Sequence, residues 1–160
     1  MRTKHDSILR AALLEYCKLK SWTKPHAVTL TLRDWRLEGD IWRRLTKPDA
    51  QQNLRHFLNV LQKQSARHGL TKTTKLQRVP VLEGEENKHR PHYHLMLDNP
   101  ASIDTPTYRA IIQHAWQRTF WGHQRVTVDP CQDSQGWLAY ITKLRTKESY
   151  ADSIDWMNFL

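Results

Sequence analysis

Apolar positions along the chain fall into two rhythms, a period of two that marks half-buried strands and a period of three to four that marks amphipathic helices. Ile8, Leu9, Ala12, Leu13, Tyr16 and Cys17 follow the helical rhythm behind a capping Asp6 or Ser7, which predicts a helix over 8–19. Ser21 to Pro25 breaks it, and the alternating, β-branched run from His26 to Arg33 predicts a strand. Residues 34–45 show no clear period. Thr46 then reads as an N-cap, with Pro48 and Asp49 in the first turn of a helix whose stripe is Leu54, Phe57, Leu58 and Leu61 and whose end is Gly69. Leu76 to Glu83 reads as a second strand, and Pro80 suggests that it lies at an edge. A polar loop from Gly84 to Arg90 turns back into a third strand, which Asp98-Asn99-Pro100 ends. Tyr108, Ile111, Ile112, Ala115 and Trp116 form the stripe of a helix over 105–119. Gln124 to Val128 is a fourth strand, and Asp133 or Ser134 caps a final helix over 135–147. The rest is an acidic, aromatic tail.

From residue 26 the order is β-α-β-β-α-β-α. Its first six elements match the ferredoxin-like split βαβ motif, an α+β fold with an antiparallel sheet and helices on one face, here with an extra helix at each end. The other face of such a sheet is free for a site. No repeat, low-complexity tract or linker divides the chain, so a single domain over 1–160 with its core at about 26–147 is expected.

Charge changes the picture. With 25 Lys+Arg against 16 Asp+Glu the net charge is +9, which favours a polyanionic partner, nucleic acid first and a membrane surface second. No apolar run approaches the roughly 18 residues that span a bilayer, and no signal-peptide core opens the chain. Cys17 and Cys131 stand far apart with no CxxC, as expected for reduced thiols in a cytoplasmic protein. Seven Trp suit either a core or base stacking on single strands.

The third strand carries the candidate chemistry. In Arg90-Pro91-His92-Tyr93-His94-Leu95-Met96-Leu97, the two histidines stand two apart and share one strand face. Two imidazoles side by side can begin a divalent metal site. Nine His in 160 residues give about half a His-x-His pair by chance, so the surroundings must carry the reading. If residues 84–90 form the hairpin loop, Glu83 pairs with His92 and Val81 with His94, and a carboxylate joins the imidazoles. Glu85 has the same parity and replaces Glu83 in a shifted register. On the final helix, Trp137, Leu138, Ile141 and Leu144 form the apolar stripe, and Tyr140 lies at its edge beside Lys143 and Lys147. Nearby ammonium groups stabilise a phenolate, which can act as a nucleophile toward phosphorus.

Arg90-Pro91-His92-Tyr93-His94 after an upstream Glu, followed by Tyr140-Ile141-Thr142-Lys143, resembles the HUH (His-hydrophobe-His) endonucleases. More narrowly it is similar to the single-tyrosine rolling-circle replication initiators of small plasmids and filamentous phages. The strand from Ala27 to Leu32 stands where that family has its first motif, and the resemblance spans about residues 26–147. It implies that His92, His94 and Glu83 hold a divalent metal, Mg²⁺ or Mn²⁺, which polarises the scissile phosphate of single-stranded DNA. It implies that Tyr140 attacks in line, releasing a 3′-OH and leaving a 5′-phosphotyrosine, with Lys143 steadying the charge. One tyrosine means one covalent strand at a time, and Tyr93, Tyr108 and Tyr150 lack the helical, basic setting.

Arg33, Arg36, Arg43, Arg44, Arg90 and Lys147 are candidates for phosphate contacts, and Trp35 and Trp42 for stacking. The implied partner is single-stranded or supercoiled DNA at a replication origin. With no Gly-rich Lys-Ser/Thr phosphate loop in the chain, unwinding falls to a host helicase, to supercoiling or to a longer parent protein. Competing readings are a single-tyrosine HUH transposase and a ferredoxin-like nucleic-acid-binding module without catalysis. The second of these predicts aromatic side chains exposed on the central strands.

Overall fold

The computed structural model describes residues 4–71, 74–84, 90–143 and 150–160. The elements are α1 (Lys4–Leu19), β1 (Pro25–Leu32), β2 (Trp35–Glu38), β3 (Ile41–Arg44), α2 (Lys47–Ala66), β4 (Arg78–Glu83), β5 (His92–Asp98), α3 (Thr105–Gln117), β6 (Gly122–Pro130), α4 (Ser134–Ile141) and α5 (Tyr150–Ser153). Four strands form one antiparallel sheet in the order β4-β5-β1-β6. Each βαβ crossover thus leaves room for a strand between its ends, which is the expected ferredoxin-like arrangement.

The first face of the sheet carries the main core. Val28, Leu30 and Leu32 of β1, Tyr93, Leu95 and Leu97 of β5 and Val128 of β6 point toward the stripes of α2 and α3. The predicted stripe residues Leu54, Phe57, Leu58, Leu61, Tyr108, Ile111, Ile112, Ala115 and Trp116 are all buried there. Each fully buried Leu or Phe stabilises by about 1.5–3 kcal/mol relative to exposure. Trp116 meets Phe57 edge to face, with ring centroids 5.4 Å apart, and donates its indole N–H to Thr31 O at 2.8 Å. The predicted cap of α2 forms a reciprocal box in which Thr46 N donates to Asp49 Oδ2 and Asp49 N to Thr46 Oγ1.

The second face is less open than expected. Val79, Val81 and Met96 are apolar and must leave water, so α1, α4, α5 and the tail cover that half with Leu13, Cys17, Leu138, Ile141, Tyr150 and Ile154. The tail also closes the outer edge of β4. Leu160 N donates to Arg78 O, Arg78 N to Leu160 O and Asp155 N to Pro80 O. Pro80 therefore sits on the edge strand, as its missing donor requires, and a covered edge is protected from pairing with other chains.

Three expectations are corrected. Residues 34–45 form a hairpin, β2–β3, turned by Gly39-Asp40 with Gly39 at φ 63°. A Gly-X pair is the two-residue loop that a twisted ribbon favours. The final helix stops at Ile141 rather than 147, because Thr142 turns its hydroxyl and its N–H onto Leu138 O and caps the last turn; residues 144–149 lie outside the described residues. In α1 the burial falls on Leu13 and Cys17, while Ile8, Ala12 and Tyr16 face solvent.

Candidate active site

The uncovered half of the second face lies at the C-terminal ends of β1 and β4. There the expected hairpin register is found, with Glu83 opposite His92 and Val81 opposite His94. On the other side of β5, Thr31 stands opposite His92 and Thr29 opposite His94. Strand parity therefore puts Glu83, His92, His94 and Thr29 on one face. Glu83 Oε2 lies 3.8 Å from His92 Nε2 and 3.7 Å from His94 Nε2, and the two Nε2 atoms are 3.1 Å apart. One ligand atom from each of the three residues falls within 4.8 Å of the others. Glu85 lies outside the described residues.

The hydrogen bonds on the outer ring nitrogens fix how the imidazoles face. His92 Nδ1 is 2.9 Å from Arg90 O, a carbonyl that only accepts, so Nδ1 carries the proton and Nε2 turns a lone pair inward. His94 Nδ1 is 3.0 Å from Thr29 Oγ1, which can accept or donate. The inward contact between the two Nε2 atoms holds with a proton on His94 Nε2, or with a cation drawing both lone pairs. The donor set, two imidazole nitrogens and a carboxylate with both outer nitrogens anchored, fits a divalent cation.

Next to the cluster stands Tyr140, on α4. Its side chain is 49 % exposed, and its ring centroid is 6.0 Å from that of His94. Trp137 stacks on it at 5.4 Å, meets His94 edge-on at 5.5 Å and donates its indole N–H to Leu95 O at 3.0 Å, tying the helix to β5. The last turn of α4 is held from α1. Arg10 Nε donates to Thr142 O at 2.9 Å and its Nη2 to Ala139 O at 3.1 Å, a cation placed on the free carbonyls of a helix C-terminus. Lys143 sits just beyond the cap, its Nζ 3.9 Å from the centre of the Tyr140 ring. Lys147 lies outside the described residues.

The other tyrosines are committed elsewhere. Tyr93 is buried on the opposite face and donates to Asp155 Oδ2. Tyr108 is buried and donates to Asp98 O, and burial pushes its hydroxyl well above the usual range. Tyr150 is pushed up to about 12 by burial. Tyr16 is exposed but packs against Phe159 on α1, away from the cluster.

Residues 25–148 match a family of replication-associated proteins of the ORF2 type. The chain belongs to that family. The matched stretch begins with β1, runs through both strands of the His/Glu cluster and continues past Tyr140 and Lys143. No curated protein and no solved structure gives a significant match.

In this replication-associated protein the basic candidates separate into two groups. Arg90 and Arg33 lie at the cluster end of the sheet, where Leu32 N bonds Pro91 O and Arg33 Nε bonds Gly122 O. Together with Arg125 they press on His123, whose pKa is lowered first by desolvation and then by Arg90, Arg33 and Arg125. Arg36 and Arg43 are engaged within the fold. The Arg36 guanidinium lies 4.8 Å over the Phe120 ring and that of Arg43 lies 5.4 Å over Trp121. Arg43 also pairs with Glu38 at 3.2 Å and Asp49 at 2.7 Å. Trp35, Trp42 and Arg44 remain exposed.

Sequence reasoning missed Thr29, Arg10 and the pair His123 and Arg125. Thr29 had a signal, since it shares its strand face with His94 once β1 and β5 are paired. Arg10 had none, because its partners are 129 and 132 residues away.

Proposed function

We propose that the chain is a divalent-metal-dependent, sequence-specific nuclease that nicks and rejoins single-stranded DNA to initiate rolling-circle replication. One observation carries the reading: an exposed tyrosine, held by Trp137 and Arg10, stands beside the inward-facing Glu83/His92/His94 set within the stretch matched by a replication-associated family. Glu83, His92 and His94 would hold Mg²⁺ or Mn²⁺. A cation bound there supplies Lewis-acid polarisation of the scissile phosphate. Tyr140 Oη attacks phosphorus in line, the bond from phosphorus to the 3′ oxygen breaks, and the phenol proton ends, in net terms, on the released 3′-OH. The phosphotyrosine ester keeps the 5′ phosphate activated, so a 3′-OH can reverse the step and join ends. Lys143 swings from the ring to the phosphate and steadies the developing charge. Arg33 and Arg90 hold flanking phosphates.

A module that only binds nucleic acid would present aromatic side chains on β1 and β5. The cluster side of those strands carries Thr29, Thr31, His92 and His94 instead. The test is a covalent-adduct assay with a pool of random single-stranded oligonucleotides and Mn²⁺, resolved on a denaturing gel. A shifted band lost with EDTA and in Tyr140→Phe is expected. A band that survives in Tyr140→Phe would remove Tyr140 as nucleophile. No band with the pool, nor with DNA of the element's own origin, would sink the nuclease reading.

A further inference from the structure

The hairpin β2–β3 exposes more apolar surface than a solvated ribbon needs. Its register pairs Trp35 with Arg44, Arg36 with Arg43, Leu37 with Trp42 and Glu38 with Ile41. Directly paired residues share a face and neighbours alternate, so Trp35, Leu37, Trp42 and Arg44 form one face and Arg36, Glu38, Ile41 and Arg43 the other. The second face is turned to the protein. Arg36 and Arg43 lie over Phe120 and Trp121, and Arg43 is ion-paired to Glu38 and Asp49. These two arginines brace the ribbon. The first face is left to solvent, with Trp35 53 % exposed, Leu37 50 % and Trp42 66 %. Two solvated indoles and a leucine on one small face, with a guanidinium beside them, mark a binding surface.

We propose that this face stacks unpaired bases of the DNA strand that enters the Tyr140 site. The inference rests on the nuclease reading for its substrate and adds the surface that grips it. Three observations favour unpaired DNA. The ribbon leaves β1 directly after Thr31, which stands opposite His92, and its base is pinned by Arg33 N to Trp121 O and Leu45 N to Asp34 O. It therefore rises from the end of the sheet that holds the cluster. The charge is complementary: Arg44 lies on the face, Arg33 and Arg90 near its base, and the chain carries +9. The spacing also fits. Trp35 and Trp42 are diagonal partners, whose Cβ atoms lie about 7–8 Å apart in such ribbons, close to two base-stacking steps of about 3.4 Å. That leaves room for a base between the indoles. Paired bases already cover each other's faces and offer only an end to stack on.

The experiment is fluorescence anisotropy in EDTA, so that no cleavage intervenes, using a labelled oligothymidylate and an abasic strand of equal length. Both strands carry the same phosphates, and only one carries bases. The protein is expected to bind the thymidylate more tightly. The double variant Trp35→Ala, Trp42→Ala should weaken thymidylate binding by about 5- to 150-fold and leave the abasic strand unaffected. Trp42→Phe, which keeps an aromatic face, should retain most of the affinity. Circular dichroism and thermal melting of the variants check that these exposed side chains were not needed for folding. Equal affinity for the two strands, or unchanged binding in the double variant, overturns the proposal. So does self-association, or a preference for duplex, that the double variant abolishes, since the face would then serve a second copy or paired DNA. The adduct assay on the same variants separates the two readings. An adduct without stacking sinks only the ribbon, and stacking without an adduct sinks only the nuclease.

Discussion

Thr29→Val tests whether the hydroxyl opposite His94 sets the metal-binding form of that imidazole. His94 can offer an Nε2 lone pair to a cation only if its proton sits on Nδ1, and Nδ1 lies 3.0 Å from Thr29 Oγ1. Valine keeps the shape and β-branching of threonine and replaces the acceptor with a methyl group. An Nδ1–H would then be left without that partner, while a proton on Nε2 would still find His92 Nε2 at 3.1 Å and Glu83 Oε2 at 3.7 Å. The substitution therefore favours the tautomer that cannot ligate. Loss of such an outer partner typically costs 10- to 100-fold in metal affinity.

The effect is readable in thermal melts. With Mn²⁺ at about 100 times its dissociation constant, the native state gains about 2.7 kcal/mol. A 10-fold weaker site gains about 1.4 kcal/mol at the same concentration, and a 100-fold weaker site about 0.4 kcal/mol. For a chain of this length 1 kcal/mol moves Tm by about 2–4 °C. The metal-induced rise should fall from about 5–11 °C in the parent to about 1–6 °C in Thr29→Val. Taking the difference with and without metal removes any direct effect of the substitution on stability. Thr31→Val is the control, because Thr31 stands opposite His92, whose Nδ1 is anchored on Arg90 O instead. An undiminished rise in Thr29→Val, or an equal loss in Thr31→Val, would refute the argument. A parent that shows no rise at all would count against the metal site itself.

Two further outcomes follow from groups away from the cluster. His26 is fully buried, bonded to Lys24 O and to Thr105 Oγ1, and its pKa is lowered, mainly by desolvation. Below about pH 6.5 the unfolded chain takes up a proton there that the folded chain refuses. Metal-free stability should therefore fall as pH drops from about 6.5 toward the depressed folded value, by up to about 1.4 kcal/mol per unit. Urea unfolding from pH 5 to 7.5 should show a shallower slope in His26→Gln, and an unchanged slope would exclude His26 as the cause. Arg10→Met removes both bonds to the last turn of α4 and should cost about 1–3 kcal/mol in urea unfolding, with faster hydrogen exchange at Ile141 and Thr142. Arg10→Lys should recover only part, since a lysine lacks the planar fork, and full recovery would show that charge alone suffices.

The site divides into a part legible from the sequence and a part that was not, and the boundary is physical. Strand parity and a short polar loop are local signals. They were enough to set Glu83 opposite His92, because a one-residue slip would have turned Val79, Val81 and Met96 out of their apolar environment. The hairpin β2–β3 was missed for the complementary reason. Alternation is visible only when one face is buried, and here the bracing face is arginine while the apolar face is in solvent. The stripe of α1 was misplaced because that helix meets α4 and the tail along a narrow line through Leu13 and Cys17, not the broad sheet that a wide stripe implies. Helix α4 shows the limit most clearly. Its local pattern marked Tyr140 as an edge residue, and the exposed phenol agrees. What presents that phenol beside His94 is Trp137 on a β5 carbonyl and Arg10 on the helix end, contacts between elements far apart in the chain. Residue types and spacing named the groups able to do the chemistry, whereas the aim of the tyrosine depends on tertiary bonds. Variants at Arg10 and Trp137 should therefore impair presentation of Tyr140 while leaving the three-residue cluster able to bind metal.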